Sequence, residues 1–144
     1  MAEPFHLDSF LPYRMMVLAG RLSREYSQIY HDRFGLSRAE WRVVAHLSQE
    51  SAVSVREIHA RVDMDKSKVS RAATRLEEAG YITKQTSTSD RRLVELALTE
   101  KGRAMMAELT PLAHAYQAEL MARLGADADG FLAGVEALLE KSGG

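Results

Sequence analysis

Apolar side chains recur at steps of three and four from Leu11 through Met15, Leu18, Leu22 and Tyr26 to Ile29, which predicts a long helix over residues 8–33. A mixed stripe of Phe10, Arg14, Val17, Arg21 and Glu25 runs beside it, and Gly35 is placed to end the helix in a left-handed turn. Ser37 and Glu40 have the spacing of a capping box, in which each side chain takes the other residue's amide proton. They open a helix of about twelve residues on which Trp41, Val44, Ala45 and Leu47–Ser48 follow. Ser54 and Glu57 repeat the device ahead of a short helix with Val55, Ile58 and Val62 inward, and residues 62–65 read as a polar turn. Residues 66–79 form the next helix, stopped by Gly80. At about 100° per residue, Val69, Ala72, Ala73, Leu76 and Ala79 share one narrow face. Ser67, Ser70, Arg71, Thr74 and Glu78 lie opposite, with Lys68 and Arg75 on a flank.

After Gly80 the period changes. Residues 81–86 and 93–98 read as strands, the second alternating Val94, Leu96 and Leu98 with Leu93, Glu95 and Ala97. The polar run 87–92 between them ends in two arginines and makes the pair a hairpin. Thr99 can cap a long helix over 100–124 striped by Met105, Leu109, Leu112, Tyr116, Leu120 and Leu124, with Pro111 expected to kink it. A last helix over 127–141 is apolar at Phe131, Leu132, Val135, Leu138 and Leu139. The fold class is mainly α, with two short helices, a tight turn and a hairpin at its centre: a winged helix-turn-helix.

Composition narrows the chemistry. The chain has 144 residues, 46% of them hydrophobic, which supports a buried core, and a net charge of −1. It has no cysteine, so disulfides, thiolate metal sites and thiol nucleophiles are excluded. No apolar run approaches the ~20 residues of a membrane span, and the N-terminus lacks a signal-peptide pattern, so a cytoplasmic protein without a membrane partner is expected. The charge is unevenly placed. Residues 54–92 carry 9 basic and 6 acidic side chains, whereas residues 100–144 carry 4 and 7. A basic centre suits phosphates, which draw Lys and Arg through counterion release.

The residue types at that centre suit duplex DNA. A helix in the major groove uses short hydroxyls for phosphates and base edges, and arginine for the acceptors of guanine. Ser67, Ser70, Arg71, Thr74 and Arg75 supply these, while Lys66 and Lys68 add charge to the amide-rich helix N-terminus. An arginine at the hairpin tip can enter the narrow minor groove, where the potential is most negative. An ordinary solvated amphipathic face would share the polarity, but not the combination of turn spacing, an outer surface without acids up to Glu78 and an arginine-tipped hairpin.

Two stretches carry a family resemblance. Asp65-Lys-Ser-Lys-Val-Ser-Arg71, running on to Arg75-Leu-Glu-Glu-Ala-Gly-Tyr-Ile82, resembles the recognition helix of the MarR (multiple antibiotic resistance regulator) family. Asp90-Arg-Arg-Leu-Val-Glu-Leu-Ala-Leu-Thr-Glu-Lys-Gly102 resembles its wing, and the order of helices matches over nearly the whole chain. The resemblance implies a homodimeric winged-helix transcriptional regulator, expected to be a ligand-responsive repressor. It also implies that Arg92 enters the minor groove with Asp90 orienting it; Arg91 would meet backbone phosphate. Residues 36–99 would then be the DNA-binding lobe, with 1–35 and 100–144 the dimerisation region. Leu7, Phe10, Leu11, Leu120, Leu124, Phe131 and Leu138 are the interface candidates. A two-fold dimer would read a pseudo-palindromic operator.

The family also suggests a small anionic aromatic effector, for which Tyr13, Arg14, Tyr30, Trp41 and His46 are candidates. For each of these, core packing or plain surface charge is the competing reading. The five histidines have no paired metal spacing, so no metal or cofactor is expected. The chain has no phosphate loop, dinucleotide glycine pattern or Gly-x-Ser-x-Gly elbow, so it is not expected to be an enzyme. The alternatives are a winged-helix protein-interaction module, which would not need the basic face, and a small-molecule enzyme, which would show turnover without DNA affinity.

Overall fold

The computed structural model describes residues 2–50, 53–61, 64–89 and 92–142. The helices are α1 (Leu11–Phe34), α2 (Arg38–Leu47), α3 (Val55–Arg61), α4 (Lys66–Glu78), α5 (Glu100–Leu124) and α6 (Ala128–Ser142). The strands are β1 (Val53–Ser54), β2 (Ile82–Thr86) and β3 (Val94–Leu98). The chain divides into two compact units after Leu109, within α5. Pro111 does not end that helix.

Local chemistry sets the starts and stops. The first helix begins at Leu11 rather than residue 8, because Leu7–Ser9 is a separate 3-10 turn and Pro12 sits where a missing amide proton costs nothing. Gly35 ends α1 at φ 70°, the left-handed conformation that glycine adopts freely. The box at α2 is complete. Ser37 N–H donates to Glu40 Oε1 and Glu40 N–H to Ser37 Oγ, both at 3.1 Å. The helix runs ten residues rather than about twelve. Val43, Val44 and Leu47 are buried, whereas Trp41 and Ala45 are only half-buried.

The second box is half formed. Glu57 N–H donates to Ser54 Oγ at 3.1 Å, but the Glu57 carboxylate takes the Ser54 hydroxyl proton instead of its amide. Ser54 lies in β1, which pairs antiparallel with β3 in a register of Val53 with Leu96 and Ser54 with Glu95. This strand was not expected. It makes β3 the middle of a three-stranded sheet ordered β1-β3-β2. Leu96, covered from both sides, is fully buried, whereas Val94 at the outer end is 39% exposed. Ile58 is buried as expected; Val62 and part of the 62–65 turn lie outside the described residues.

In the unit that ends at Leu109, Val69, Ala72, Ala73 and Leu76 of α4 bury against α2 and α3, with Ile58, Val43, Val44, Ile82, Leu96, Met105 and Leu109 completing the core. Ala79 is exposed, because α4 stops at Glu78 and Gly80 at φ 85° turns the chain away. At the other edge of this core, Tyr30 stacks on Trp41 with centroids 5.3 Å apart, and Tyr26 meets both rings edge-on. Burial pushes the Tyr26 hydroxyl up to about 12, with a further push from Tyr30. Burial also raises Tyr30, against the opposing pull of Arg38 and Arg42.

The end of α4 is closed by a Schellman motif: Gly80 N–H donates to Glu77 O and Tyr81 N–H to Leu76 O. Thr99 then donates its hydroxyl to Gly80 O at 2.6 Å and accepts from Gly102 N–H at 3.1 Å, which caps α5. Lys101 Nζ donates to Ala79 O at 2.7 Å and sits 4.6 Å from the Tyr81 ring centre. Gly102 is buried, and a Cβ built there would overlap the Tyr81 carbonyl oxygen.

In the second unit, Leu112, Tyr116, Leu120 and Leu124 are half-buried, as the stripe predicts. A 3-10 turn, Gly125–Asp127, precedes α6, which therefore starts at Ala128. Leu132, Leu138 and Leu139 are 43%, 54% and 60% exposed. In the first unit, Phe5, Leu7, Phe10, Leu11 and Met16 are exposed too.

Gly102→Ala should lower the melting temperature by roughly 5–10 °C, because overpacking against a backbone atom costs about 1–3 kcal/mol. Gly130→Ala, where nothing lies within 4 Å, should leave it unchanged or raise it slightly. Scanning calorimetry on both variants checks the pair. Stability should also fall as pH rises from 10 towards 12, since the unfolded chain gives up its tyrosine proton first while the folded state holds Tyr26 neutral. Tyr26→Phe should blunt that fall in an alkaline melting series.

Candidate nucleic-acid interface

The inner face of α4 is spent on the core, so its outer face is free for other work. From Lys66 to Arg75 the helix carries no acidic residue. Lys66, Ser67, Lys68, Arg71, Thr74 and Arg75 are exposed, and Ser70 is half-buried. A shallow groove of about 330 Å³ on this face is lined by Ser70, Arg71, Thr74, Arg75 and Glu78. Asp65 sits at the N-cap without a side-chain cap bond, so the positive end of the helix is left to its amides and to Lys66 and Lys68.

The cations of the lobe divide by what they meet. Arg61 is held 2.6 Å from Glu50 and 3.4 Å from Glu57. Arg75 Nε lies 3.6 Å from Glu40 Oε1, the same oxygen that accepts the Ser37 amide. By contrast, the side chains of Lys66, Lys68 and Arg71 make no ion pair with any described residue. These three concentrate the charge available to an outside anion.

The turn before α4 is braced by His59, whose Nδ1–H donates to Met64 O at 2.7 Å. The wing is an antiparallel hairpin, Ile82 facing Leu98 and Thr86 facing Val94, extended by a bond from Ser87 N–H to Leu93 O. Ser87 is buried and bonds Ser89 Oγ at 3.0 Å, which orders the start of the turn. Arg92 is exposed at its far side; Asp90 and Arg91 lie outside the described residues. One participant was not anticipated. Lys84, on β2, donates to Thr74 Oγ1 at 2.8 Å and lies 3.8 Å from Glu77, joining wing and helix. Nothing in the linear pattern marks this lysine, because its partner is ten residues away on another element.

The five ligand candidates do not converge within one chain. Tyr30 and Trp41 stack together, with Tyr30 only 1% exposed. His46 is half-buried in the last turn of α2. Tyr13 and Arg14 stand near the start of α1, and at about 1.5 Å per residue Tyr13 is about 25 Å along the helix from Tyr30. A cleft of about 310 Å³ lined by Leu47, Ser48, Gln49, Glu50, Leu98 and Arg103 contains none of the five.

A family profile described as the MarR family matches residues 34–93, from the end of α1 to the far side of the wing. The transcriptional regulator TtmR of Methylorubrum extorquens is 29% identical over 114 residues, 78% of this chain; the match spans 57% of that protein's length. The crystal structure of a MarR/EmrR-family regulator from Acinetobacter sp. ADP1 superposes with a TM-score of 0.81 at 28% identity, covering 96% of this chain and 98% of that one. BpsR of Bordetella bronchiseptica, whose DNA binding is regulated by 6-hydroxynicotinic acid, shares the fold at a TM-score of 0.74 and 22% identity, covering 97% and 98% of the two chains. With the helix order, the three-stranded wing sheet and the motifs of α4 and β3 all in place, the chain resembles the MarR family of winged-helix transcriptional regulators, whose profile it matches over residues 34–93.

Proposed function

We propose that this protein is a homodimeric repressor in the cytoplasm that binds a pseudo-palindromic duplex. In this reading α4 enters the major groove and Arg92 the minor groove. The observation that carries it is the outer face of α4: ten residues without an acid, with Lys66, Lys68 and Arg71 uncommitted to any described carboxylate. Lys66, Lys68 and the first amides of α4 meet phosphate. Arg71, in the middle of the face, meets a base edge, with Ser67, Ser70 and Thr74 beside it. Arg75 starts from its contact with Glu40 and reaches a flanking phosphate. At the wing, Asp90 orients Arg92, and Arg91 meets backbone phosphate.

The two-fold arrangement is supported by apolar side chains that neither unit covers. Phe10 and Leu11 are 46% and 52% exposed, and Leu138 and Leu139 are more exposed still. Burying a Leu or Phe side chain contributes about 1.5–3 kcal/mol, so such surface favours association. Residues 1–35 and 100–144 serve as the dimerisation region and 36–99 as the DNA-binding lobe. A small anionic aromatic effector, of the class that regulates BpsR, lowers DNA affinity by binding the DNA-incompetent dimer more tightly. Tyr13 and Arg14 from one end of α1, or Tyr30, Trp41 and His46 from the other, are the groups available to it.

In fluorescence anisotropy on a selected duplex, Arg71→Ala should cost about 1–3 kcal/mol and relax preference at one position per half-site. Arg92→Ala should weaken binding at fixed salt, and unchanged affinity would remove the wing from the mechanism. Light scattering should give twice the chain mass, with Leu11→Glu and Leu138→Glu each shifting the protein towards monomer and weakening DNA binding. A monomeric wild type that still binds the full palindrome tightly would refute the dimer.

A further inference from the structure

The hydroxyl of Thr74 lies on the groove face of α4, and both of its local bonds have a fixed direction. Its neighbour Ser70 O, at 3.0 Å, is a carbonyl and can only accept, so the Thr74 proton goes there. Its other neighbour, Lys84 Nζ at 2.8 Å, is an ammonium with three protons and no lone pair, so Thr74 must accept from it. A hydroxyl has one proton and two lone pairs, and a single lone pair therefore remains on this exposed, groove-lining residue. Glu77, 3.8 Å from the ammonium, helps to hold Lys84 over this part of the helix.

We propose that Lys84 is a specificity-determining residue, which locks Thr74 into an acceptor-only state so that Thr74 reads an amine on a base. The inference rests on α4 being the DNA-reading helix. An unconstrained threonine serves donors and acceptors alike in the major groove. Locked in this way, it can take a proton only from adenine N6 or cytosine N4, and it meets guanine O6 and N7 or thymine O4 with no proton to give. Lys84 belongs to the wing sheet, where it faces Leu96 of β3, so the setting of the helix hydroxyl depends on the wing. Its side chain is 27% exposed, and removing the charge leaves no buried group unpaired in the core.

The test is selection of bound duplexes from a random pool at one salt concentration, using the full chain as wild type, Lys84→Met, Lys84→Arg and Thr74→Val. Wild type should prefer adenine or cytosine at one position per half-site, by about threefold to tenfold, as a single net hydrogen bond allows. Lys84→Met and Thr74→Val should flatten that same position and leave the rest of the selected sequence intact. Lys84→Arg, which also only donates, should retain the preference. The inference is overturned if Lys84→Met selects the wild-type base at that position, or if it loses affinity equally on all sequences. A wild type that enriches no sequence overturns the DNA-reading assignment itself, which separates the two failures.

Discussion

Where α4 ends, its last carbonyls are taken up from outside the helix, and the position of its cationic outer face depends on that closure. Gly80 and Tyr81 fold back on Glu77 and Leu76, Thr99 takes the Gly80 carbonyl, and Lys101 takes that of Ala79. A helix end buried without such partners would leave up to four carbonyls unsatisfied. Here Gly80 and Tyr81 take two of them, and one short segment, Thr99 to Gly102, takes the Ala79 and Gly80 carbonyls just beyond while also capping α5 and following directly from β3. The missing side chain at Gly102 is what lets α5 come down onto the Tyr81 carbonyl. Helix, wing and α5 are therefore joined at a single point, and the apolar face of α4 is held against α2 and α3 from there.

Much of this was legible in the chain, and the parts that were share a physical reason. The Ser37 box and the Gly35 and Gly80 stops follow from interactions within about five residues, and the buried face of α4 and the hairpin show in the local period of apolar positions, which the sequence displays directly. The parts that were not legible depend on partners distant in sequence. β1 is two residues long and exists only because β3 is there to pair with it. That pairing sits beside the half-formed box at Ser54. Val43 displaces Trp41 from the innermost position of α2 because Tyr26 and Tyr30 offer the indole an aromatic seat at the margin. Lys84 meeting Thr74 and Glu40 meeting Arg75 join residues far apart in the chain, and no periodicity announces either.

The charge pattern shows the same division. A stretch with three more cations than anions looks uniformly basic when counted. In the folded lobe Arg61, Arg75 and Lys84 each face a carboxylate, and the positive field narrows to the start and middle of α4. Exposed ion pairs contribute little to stability, typically about 0–1 kcal/mol, so these contacts serve mainly to orient long side chains. Sequence counting gave the sign of the surface, whereas the position of its strongest part required the fold.

Glu40 illustrates what such sharing entails. One of its oxygens holds the amide of Ser37, the N-cap of α2, and also faces the guanidinium of Arg75. An anion that recruits Arg75 would leave that carboxylate to the helix start alone, so the two events exchange free energy through a single atom. By thermodynamic reciprocity, whatever the release of Arg75 does to the bond at the Ser37 cap, breaking that bond does by the same increment to the release of Arg75.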